Sequence, residues 1–487
     1  MTAFIRNGLI HATCGLARLS VRNRYLMKLV SRLALGYLSR GFATTTLFHS
    51  TPPKRVMEDK ALLTEAMLNV AEKGLARGLI SREYADRFAT AFSGMFTRGH
   101  DRRAAFRARY DTDPPGFLVL APTHNCNLRC VGCYAVSSPG VNAQLDFDTC
   151  SRIVREQREL WGSHFTVITG GEPFIYRDGG KGLIELCAEN PTTFFLVYTN
   201  GTLIDDEVAE KLARLGNVTP AISVEGYEKE TDARRGRGVH KRILRAMASL
   251  RKAQVPFGIS VTATSKNVDT LLTDEFWDYY LEDQGALYAW MFQYMPIGRA
   301  YTLDLMLSPQ ERMDLFHATW KQIREKKRFM ADFWNCGTAV CGCISAGGNS
   351  GYVYVDWNGV VTPCAFNPYG MDNINEVYAK GGNLDTVLFS PYMLGIRKWQ
   401  QDYLSGSGRA DGEMGNVIAC CPYRDHHGMI CDLIRETGAQ PENEPAAEAL
   451  ADDAYHRGLI EYGESFGRLS EEVWRNDYLD HHPPATG

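Results

Sequence analysis

Three cysteines on one short segment are the residues of this chain with the clearest chemistry. Cys126, Cys130 and Cys133 are close enough along the chain for their thiolates to converge on one metal centre. A closed structural site has four protein ligands, so three thiolates on a four-iron cluster would leave one iron without a protein ligand. Such an iron can chelate a molecule that offers an amine and a carboxylate together. A zinc site completed by His124, or a coincidental disulfide pair, is the alternative.

A second group of cysteines follows later in the chain. Its members are Cys336, Cys341, Cys343, Cys364, Cys420, Cys421 and Cys431. The alternating run at 352–357 and the Asn358-Gly359 pair predict a β-hairpin that brings Cys343 and Cys364 toward each other. The remaining cysteines, Cys14, Cys150 and Cys187, lie in helical contexts and are interpreted as small buried apolar residues.

The elements that must position these residues alternate between strand and helix. Apolar, β-rich runs predict strands at 117–121, 165–169, 193–199, 220–224, 257–264 and 288–294, and amphipathic stretches such as 205–215 and 241–253 predict helices between them. Six such units predict an α/β fold with a parallel sheet, either curved like a barrel or open. The chemistry should then lie at the carboxyl ends of the strands. Polar motifs do follow each apolar run, the cysteine segment after the first and Gly-Gly-Glu-Pro after the second.

The joint occurrence of these two motifs resembles the radical S-adenosylmethionine superfamily. The resemblance covers roughly residues 115–300 and implies an α/β fold built on a partial (β/α)6 TIM-like barrel. In that family the three cysteines hold a [4Fe–4S] cluster, and S-adenosylmethionine chelates the open iron. An electron from the reduced cluster cleaves the C5′–S bond of the sulfonium. The resulting 5′-deoxyadenosyl radical abstracts a hydrogen atom from the substrate.

The resemblance also implies a set of residues that bind S-adenosylmethionine. They are Gly170, Gly171, Glu172, Pro173, Thr199, Asn200, Ser223, Glu225 and Arg235. The glycines would let the backbone approach, the Glu172 region would receive the methionine amine, and Arg235 (or Arg234) would pair with the carboxylate. Ser223 and Glu225 would bind the ribose hydroxyls, although the family often reads Ser-x-Asp-Gly there. A second departure is Gly132, where many members carry an aromatic residue.

The later cysteines are similar to the SPASM or twitch auxiliary-cluster domains of the same family. The spacing Cys343-x15-Gly-x4-Cys364 matches the opening of that pattern, whereas its tight second group of cysteines is missing. We expect one auxiliary [4Fe–4S] cluster on Cys343, Cys364, Cys421 and Cys431. In this interpretation Cys420 and the histidines at 426 and 427 are alternates, and Cys336 and Cys341 are spare. Two auxiliary clusters, or a zinc site, are the alternatives.

The two ends of the chain differ in charge. Nine bases and no acid precede Glu58, and apolar residues between 21 and 37 recur at helical spacing. This pattern is typical of an amphipathic helix at a membrane surface, of a helix packed on its own protein, or of a transit peptide. Residues 437–487 contain eleven acids and three bases and predict a solvated, partly helical tail. The net charge of −4 gives no reason to expect nucleic-acid binding.

These observations predict five parts and one activity. The parts are a basic amphipathic helical region at 1–57, a helical segment at 58–112, a radical S-adenosylmethionine partial barrel at 113–305, an auxiliary-cluster domain at 306–436 and an acidic tail at 437–487. We expect a cytoplasmic radical enzyme that receives electrons from a ferredoxin or flavodoxin, and a peripheral position at the inner face of the membrane is the alternative location. Its substrate is a peptide, or a membrane lipid or isoprenoid. The alternative is a non-catalytic iron–sulfur or zinc-binding protein on a barrel scaffold.

Overall fold

The computed structural model describes residues 52–88, 99–406 and 413–479. The helices within these ranges are α1 (Lys54–Ala76), α2 (His100–Tyr110), α3 (Phe147–Trp161), α4 (Leu183–Glu189), α5 (Asp206–Leu215), α6 (Glu228–Arg235), α7 (Val239–Lys252), α8 (Val268–Leu271), α9 (Asp274–Asp278), α10 (Pro309–Arg324), α11 (Gly337–Val340), α12 (Ile374–Ala379), α13 (Pro391–Ser405), α14 (His427–Thr437), α15 (Glu444–Leu450) and α16 (Asp453–Val473). Residues 82–88 are also helical.

Ten of the strands form one sheet. The strands are β1 (Phe117–Leu120), β2 (Phe165–Ile168), β3 (Arg177–Asp178), β4 (Lys181–Gly182), β5 (Phe194–Thr199), β6 (Val218–Val224), β7 (Gly258–Ala263), β8 (Ala289–Gln293), β9 (Met330–Asp332), β10 (Tyr352–Val355), β11 (Val360–Thr362), β12 (Tyr369–Gly370), β13 (Asp372–Asn373) and β14 (Gln440–Pro441). The large sheet runs β13-β11-β10-β1-β2-β5-β6-β7-β8-β9, and every pair from β10 to β9 is parallel. Its six central strands follow one another in chain order, and its two ends do not pair. The α/β prediction with an open, partial barrel is confirmed.

Local sequence explains why these units form. The side chain of Asp146 caps α3 by accepting a hydrogen bond from the backbone N–H of Thr149, and Gly162 ends the helix in a left-handed conformation. Helix α3 turns its apolar face, including Cys150 and Trp161, into the core. Cys150 and Cys187 are both buried, as predicted, whereas Cys14 lies outside the described residues.

The hairpin that follows the central strands belongs to the same sheet. Strands β10 and β11 pair antiparallel around Gly359, whose φ of +84° suits the glycine predicted at the turn. Strand β10 also pairs in parallel with β1, with Leu120 opposite Val355. The sheet therefore continues across the predicted boundary at residue 305, while the domain limits themselves remain predictions from sequence.

The acidic segment at the end of the chain is packed rather than solvated, which corrects the prediction for residues 437–479. Helix α16 buries residues at a spacing of three and four, among them Leu459 and Phe466. The Arg312 guanidinium of α10 lies 3.5 Å from the centre of the Phe466 ring. The acidic residues of α16 lie on the opposite face of the helix. Counting the charges of this segment therefore did not reveal its apolar stripe.

The beginning of the chain is only partly described. Residues 1–51, which hold nearly all of the predicted basic amphipathic helix, lie outside the described residues. The helical segment predicted at 58–112 contains α1 from its fifth residue onward, residues 82–88 and α2. Among the helices that the structure describes, none combines the length and the apolar content needed to cross a membrane.

Candidate functional site

The three-cysteine segment forms a loop after β1, at the carboxyl edge of the sheet. Burial raises the pKa of the Cys126 thiol to about 12, and the neighbouring Cys130 and Cys133 thiols raise it as well. Cys133 also raises the pKa of Cys130. Each thiol thus lies within electrostatic range of the others, and the backbone N–H of Leu128 donates to Cys126 Sγ at 3.4 Å. Three neighbouring thiols, one of them buried and bonded to a backbone N–H, form a donor set suited to an iron–sulfur cluster.

The glycine pair after β2 is packed directly against this loop. The backbone N–H of Gly171 donates to Thr123 O, and that of Glu172 donates to Asn125 O, each at 2.8 Å. A Cβ atom at position 171 would lie 2.1 Å from Asn125 O, and one at position 170 would lie 2.8 Å from Thr123 O. Only glycine allows so close a backbone approach. The two predicted motifs are therefore neighbours in space.

The loop is also held from the far side, by residues that sequence reasoning missed. The backbone N–H of Arg299 donates to Cys133 O at 3.0 Å, and its Nη1 donates to Cys130 O at 3.1 Å. A Cβ atom at Gly298 would lie 2.5 Å from Cys133 O. The one signal in the sequence was the place of Gly298-Arg299 just after the sixth strand.

The structure explains why residue 132 is a glycine. Gly132 has a φ of +62°, and a Cβ atom there would lie 2.6 Å from the ring of Tyr294. Tyr294, which follows β8, thus occupies the space beside the loop where an aromatic residue at position 132 would have to lie. This departure from the family pattern leaves the three cysteines in place.

Glu172 uses its carboxylate to organise the edge of the sheet. The side chain is completely buried, and it accepts hydrogen bonds from Thr199 Oγ1 at 2.7 Å, Asn200 N at 2.8 Å and Phe174 N at 3.2 Å. Burial raises its pKa, and these three donors lower it. The carboxylate therefore fixes the end of β5, and Pro173 begins a short 3₁₀ turn beside it.

Asn200 connects the end of β5 to the cysteine loop. Its Nδ2 donates to Asn127 Oδ1 at 2.8 Å and lies 3.9 Å from Cys126 Sγ. Thr202 closes the contact, since it accepts from Asn127 Nδ2 at 2.8 Å. Asn127 and Thr202 were not singled out in the sequence, where polar residues of a turn carry no distinctive signal.

Glu225 lies between two arginines at the end of β6. Its Oε1 accepts from Arg234 Nη1 at 2.5 Å and from Arg235 Nε at 2.8 Å, and the carboxylate is buried. Burial raises the pKa of the Cys130 thiol, whereas the two arginines lower it. Ser223 is half-buried on β6, opposite Ser260. The structure thus brings Glu225 and Arg235 together beside the cysteine loop. That Ser223 and Glu225 bind the ribose, and Arg235 the carboxylate, of S-adenosylmethionine stays a prediction.

The zinc alternative for the first loop receives no support from His124. Its Nε2 lies 2.7 Å from Ala135 O, and its ring stacks on Trp357 at 4.1 Å. Because a carbonyl oxygen only accepts, Nε2 carries a hydrogen, which leaves Nδ1 as the one nitrogen of this ring that could ligate a metal. In the described ranges, the one set of three potential ligands within 4.8 Å lies elsewhere.

Three of the later cysteines approach one another. Burial raises the pKa of Cys343 to about 11 and also raises that of Cys364, and Cys421 adds to both shifts. The Tyr352 hydroxyl lies 2.9 Å from Cys364 Sγ, and the backbone N–H of Phe366 donates to the same sulfur at 3.4 Å. This partly buried donor set resembles that of the first loop.

Cys431 lies beside two histidines. Cys431 Sγ lies 3.4 Å from His427 Nε2 and 3.4 Å from His456 Nδ1. The charges that act on the Cys431 thiol come from Arg435 and Asp432. Cys431 is one helical turn after His427 and points with it toward α16, and its place in the four-cysteine set stays a prediction.

Cys420, one of the predicted alternates, is in electrostatic range of Cys343 and Cys421. Burial lowers the pKa of the other alternates, His426 and His427, the latter to about 4. Cys336 and Cys341, which were predicted to be spare, are both buried. Cys336 lies near Asp332 and Asp59, and Cys341 lies near Lys60.

A buried polar network joins the later cysteines to the sheet. Asp425 accepts from Cys421 N at 3.1 Å and from Arg312 Nη1 at 2.6 Å. The adjacent Arg424 donates to Gln293, the last residue of β8, at 2.9 Å. The Arg312 and Arg424 guanidinium groups hold the pKa of the Asp425 carboxyl well below its usual range, against the opposing effect of burial.

Comparison with known proteins identifies the central part of the chain. Residues 120–272 match the family model described as the radical SAM superfamily. An AdoMet-dependent heme synthase of Methanosarcina barkeri is 28% identical over 292 residues, which cover 54% of this chain and 81% of that protein.

Shorter stretches match two maturation proteins. The mycofactocin maturase MftC of Mycolicibacterium smegmatis is 35% identical over 34% of this chain and 41% of its own length. The sporulation killing factor maturation protein SkfB of Bacillus subtilis is 31% identical over 37% of this chain and 44% of its own length. The chain thus spans less than half of either maturase. The crystal structure of Streptococcus suis SuiB bound to precursor peptide SuiA is similar over 70% of this chain and 83% of SuiB, with 17% identity and a TM-score of 0.49.

The chain therefore carries a radical S-adenosylmethionine domain over residues 120–272, as its two motifs predicted.

Proposed function

We propose that this radical S-adenosylmethionine chain is an enzyme that cleaves S-adenosylmethionine reductively and removes a hydrogen atom from a further substrate. One observation carries the proposal: the three thiols of the loop after β1 converge beside the Gly170-Gly171 backbone, at the edge where parallel strands present their chemistry. A scaffold without catalysis would not require that approach of the two motifs.

Cys126, Cys130 and Cys133 would hold a [4Fe–4S] cluster with one iron left open. When bound and reduced, that cluster supplies the electron that breaks the C5′–S bond of S-adenosylmethionine. The residues around it act by holding the loop. Arg299 fixes the carbonyls of Cys130 and Cys133, while Asn200 joins the loop to β5.

Different groups would meet the two ends of S-adenosylmethionine. The Glu172 carboxylate already accepts three hydrogen bonds, so the methionine amine would be received by backbone carbonyls of the Gly170–Pro173 turn. Arg235 lies beside Cys130 and would attract the methionine carboxylate. Ser223 and the second oxygen of Glu225, which has only a long contact of 3.3 Å from Thr262 N, remain available for the ribose hydroxyls.

The test is anaerobic reconstitution with iron and sulfide, followed by dithionite and S-adenosylmethionine. We expect 5′-deoxyadenosine and methionine in equal amounts, and none from the triple variant with Cys126, Cys130 and Cys133 replaced by alanine. The Cys150→Ala variant is the matched control, because that cysteine is buried in α3 away from the loop. Product formation by the triple variant would contradict the proposal.

We further propose an auxiliary [4Fe–4S] cluster on Cys343, Cys364 and Cys421, with Cys420 in place of Cys431 as the fourth ligand. The mutual effect of these thiols on their pKa values supports the first three, and the position of Cys420 beside Cys343 and Cys421 supports the fourth. Iron analysis tests the choice: Cys420→Ser should lose auxiliary iron, and Cys431→Ser should keep it. The reverse pattern would restore the set predicted from sequence.

The substrate, electron donor and location belong to the same proposal. A ferredoxin or flavodoxin would reduce the cluster, and the substrate is a peptide, or a membrane lipid or isoprenoid. The excess of bases in residues 1–57 supports peripheral contact with anionic lipid. Deleting residues 1–45 should abolish sedimentation with anionic vesicles, and undiminished binding by the truncated chain would contradict membrane contact.

A further inference from the structure

A buried group of two histidines and one cysteine lies outside the proposed cluster sites. His427 and Cys431 are one turn apart on α14, and His456 faces them from the first turn of α16. His427 Nε2, His456 Nδ1 and Cys431 Sγ all lie within 4.8 Å of one another, and all three residues are buried. In the ranges that the structure describes, this is the one set of three potential metal ligands so close together.

The hydrogen bonds of the two rings fix which nitrogen atoms carry hydrogen. His427 Nδ1 lies 2.7 Å from Tyr423 O, and His456 Nε2 lies 2.9 Å from Leu450 O. A carbonyl oxygen only accepts, so in each neutral ring the hydrogen is on the nitrogen that faces the carbonyl. The remaining nitrogens, His427 Nε2 and His456 Nδ1, face each other at 2.8 Å with lone pairs. Two acceptors at that distance repel each other unless a cation binds both.

The sulfur completes a three-atom face that suits a metal ion. Cys431 Sγ lies 3.4 Å from each of the two nitrogens. Zinc bonds of about 2.0–2.1 Å to nitrogen and about 2.3 Å to sulfur place tetrahedral ligands roughly 3.3–3.6 Å apart. Only the two nitrogens must separate, by about half an ångström, to reach that spacing. The single proton of the Cys431 thiol, in contrast, can satisfy only one of them.

We propose that His427, His456 and Cys431 bind one zinc ion, with a water molecule as the fourth ligand. Two imidazoles and one thiolate are a donor set that zinc prefers, and the backbone carbonyls of Tyr423 and Leu450 act as the outer partners that orient ligating histidines. Cys431 releases its proton to solvent on binding. His427 also borders a surface cavity of about 490 Å³.

The ion ties α14 to α16 and leaves the cluster sites unchanged. Helix α14 directly follows the Cys420-Cys421 segment, and Tyr455, beside His456, donates to Pro296 O in the loop after β8 at 3.0 Å. The ion thus fastens the helix that follows Cys421 to the helix that contacts the loop after β8. The zinc proposal does not depend on cleavage of S-adenosylmethionine, because its readout is metal content.

The experiment measures zinc and iron together in the full chain after anaerobic cluster reconstitution. We expect about one zinc ion per wild-type chain. His456→Ala should lose that zinc and keep its iron, and His317→Ala, which removes an exposed histidine of α10, should keep both. A wild-type chain without zinc, or a His456→Ala chain that retains it, would overturn the proposal.

A second variant covers the case in which His456→Ala does not fold. His456→Cys supplies another thiolate at the same position, so it should retain zinc. X-ray absorption at the zinc edge should then change from one sulfur and two nitrogens to two sulfurs and one nitrogen. A wild-type spectrum with three or four sulfurs would place the zinc on other cysteines and refute this site.

Discussion

Replacing Glu225 by glutamine tests whether this carboxylate balances two arginines beside the cysteine loop. The Glu225 side chain is 1% exposed, and its Oε1 accepts from Arg234 Nη1 at 2.5 Å and Arg235 Nε at 2.8 Å. Glutamine keeps the shape and removes the charge. Its amide nitrogen would also face the donor Thr262 N, now 3.3 Å from Oε2.

The expected cost follows from the burial of the pair. Removing one partner of a fully buried ion pair destabilises a protein by about 3–5 kcal/mol, because the other charge stays behind uncompensated. The side chains of Arg234 and Arg235 are 15% and 11% exposed, so both retain some contact with water. We therefore expect Glu225→Gln to lower the free energy of unfolding by about 3 kcal/mol, the lower end of that range. Urea unfolding of the metal-free full chain measures it.

Two variants isolate the charge. Glu228→Gln makes the same chemical change at an exposed position at the start of α6, and it should alter stability by less than about 0.5 kcal/mol. Glu225→Asp keeps the charge and withdraws it by one methylene, so its cost should be intermediate. If Glu225→Gln were as stable as wild type but had a higher KM for S-adenosylmethionine, Glu225 would serve the ribose and the charge-balance argument would be wrong.

Three further outcomes follow from the same contacts. Gly171→Ala would place a methyl group 2.1 Å from Asn125 O, so this variant should lose cluster iron. Gly467→Ala is the control and should retain its iron, because a methyl group there would have no neighbouring atom within 4 Å. Equal iron contents in the two variants would contradict the close approach of the two motifs. Arg312→Met removes one of the two arginine partners of the buried Asp425 carboxylate and leaves Arg424 Nε at 3.2 Å, so it should cost about 3 kcal/mol in urea unfolding, the lower end of the range for a broken buried pair. Because its arginine partners lower the folded-state pKa of Asp425 below its usual value, its contribution to stability is present above pH 4 and is lost as the pH falls below that. The urea midpoint of the metal-free wild type should therefore fall more steeply between pH 5 and pH 3 than that of Asp425→Asn, and parallel curves would refute this.

The sequence predicted what depends on short-range pattern. Each of the six expected strands begins and ends within two residues of an observed one, since buried parallel strands are short apolar runs bounded by polar turns. The Asn358-Gly359 dipeptide by itself predicted the turn at Gly359. The spatial approach of the two motifs followed from topology, because the carboxyl ends of neighbouring parallel strands meet at one edge.

What the sequence did not predict depends on contacts between distant segments. The space beside Gly132 is filled by Tyr294, more than 150 residues later in the chain. The contact of Cys431 with His456 depends on how α14 packs against α16, which no local pattern in the sequence predicts. The charge of the acidic segment predicted a solvated tail. The apolar side chains of α16, among them Phe466, instead pack on Arg312 and other buried residues.

The separation between the two cysteine groups is set by packing within one sheet. Tyr134, next to Cys133, and Phe366, two residues after Cys364, have their ring centres 5.5 Å apart. The hairpin that precedes Phe366 is hydrogen-bonded to β1, and the loop that carries Cys133 begins where β1 ends. Because both groups extend from paired strands rather than from a flexible linker, their distance is fixed by backbone hydrogen bonds. A fixed separation suits electron transfer between the two clusters proposed above, and it favours an auxiliary cluster that exchanges electrons near the radical over one that only stabilises the fold.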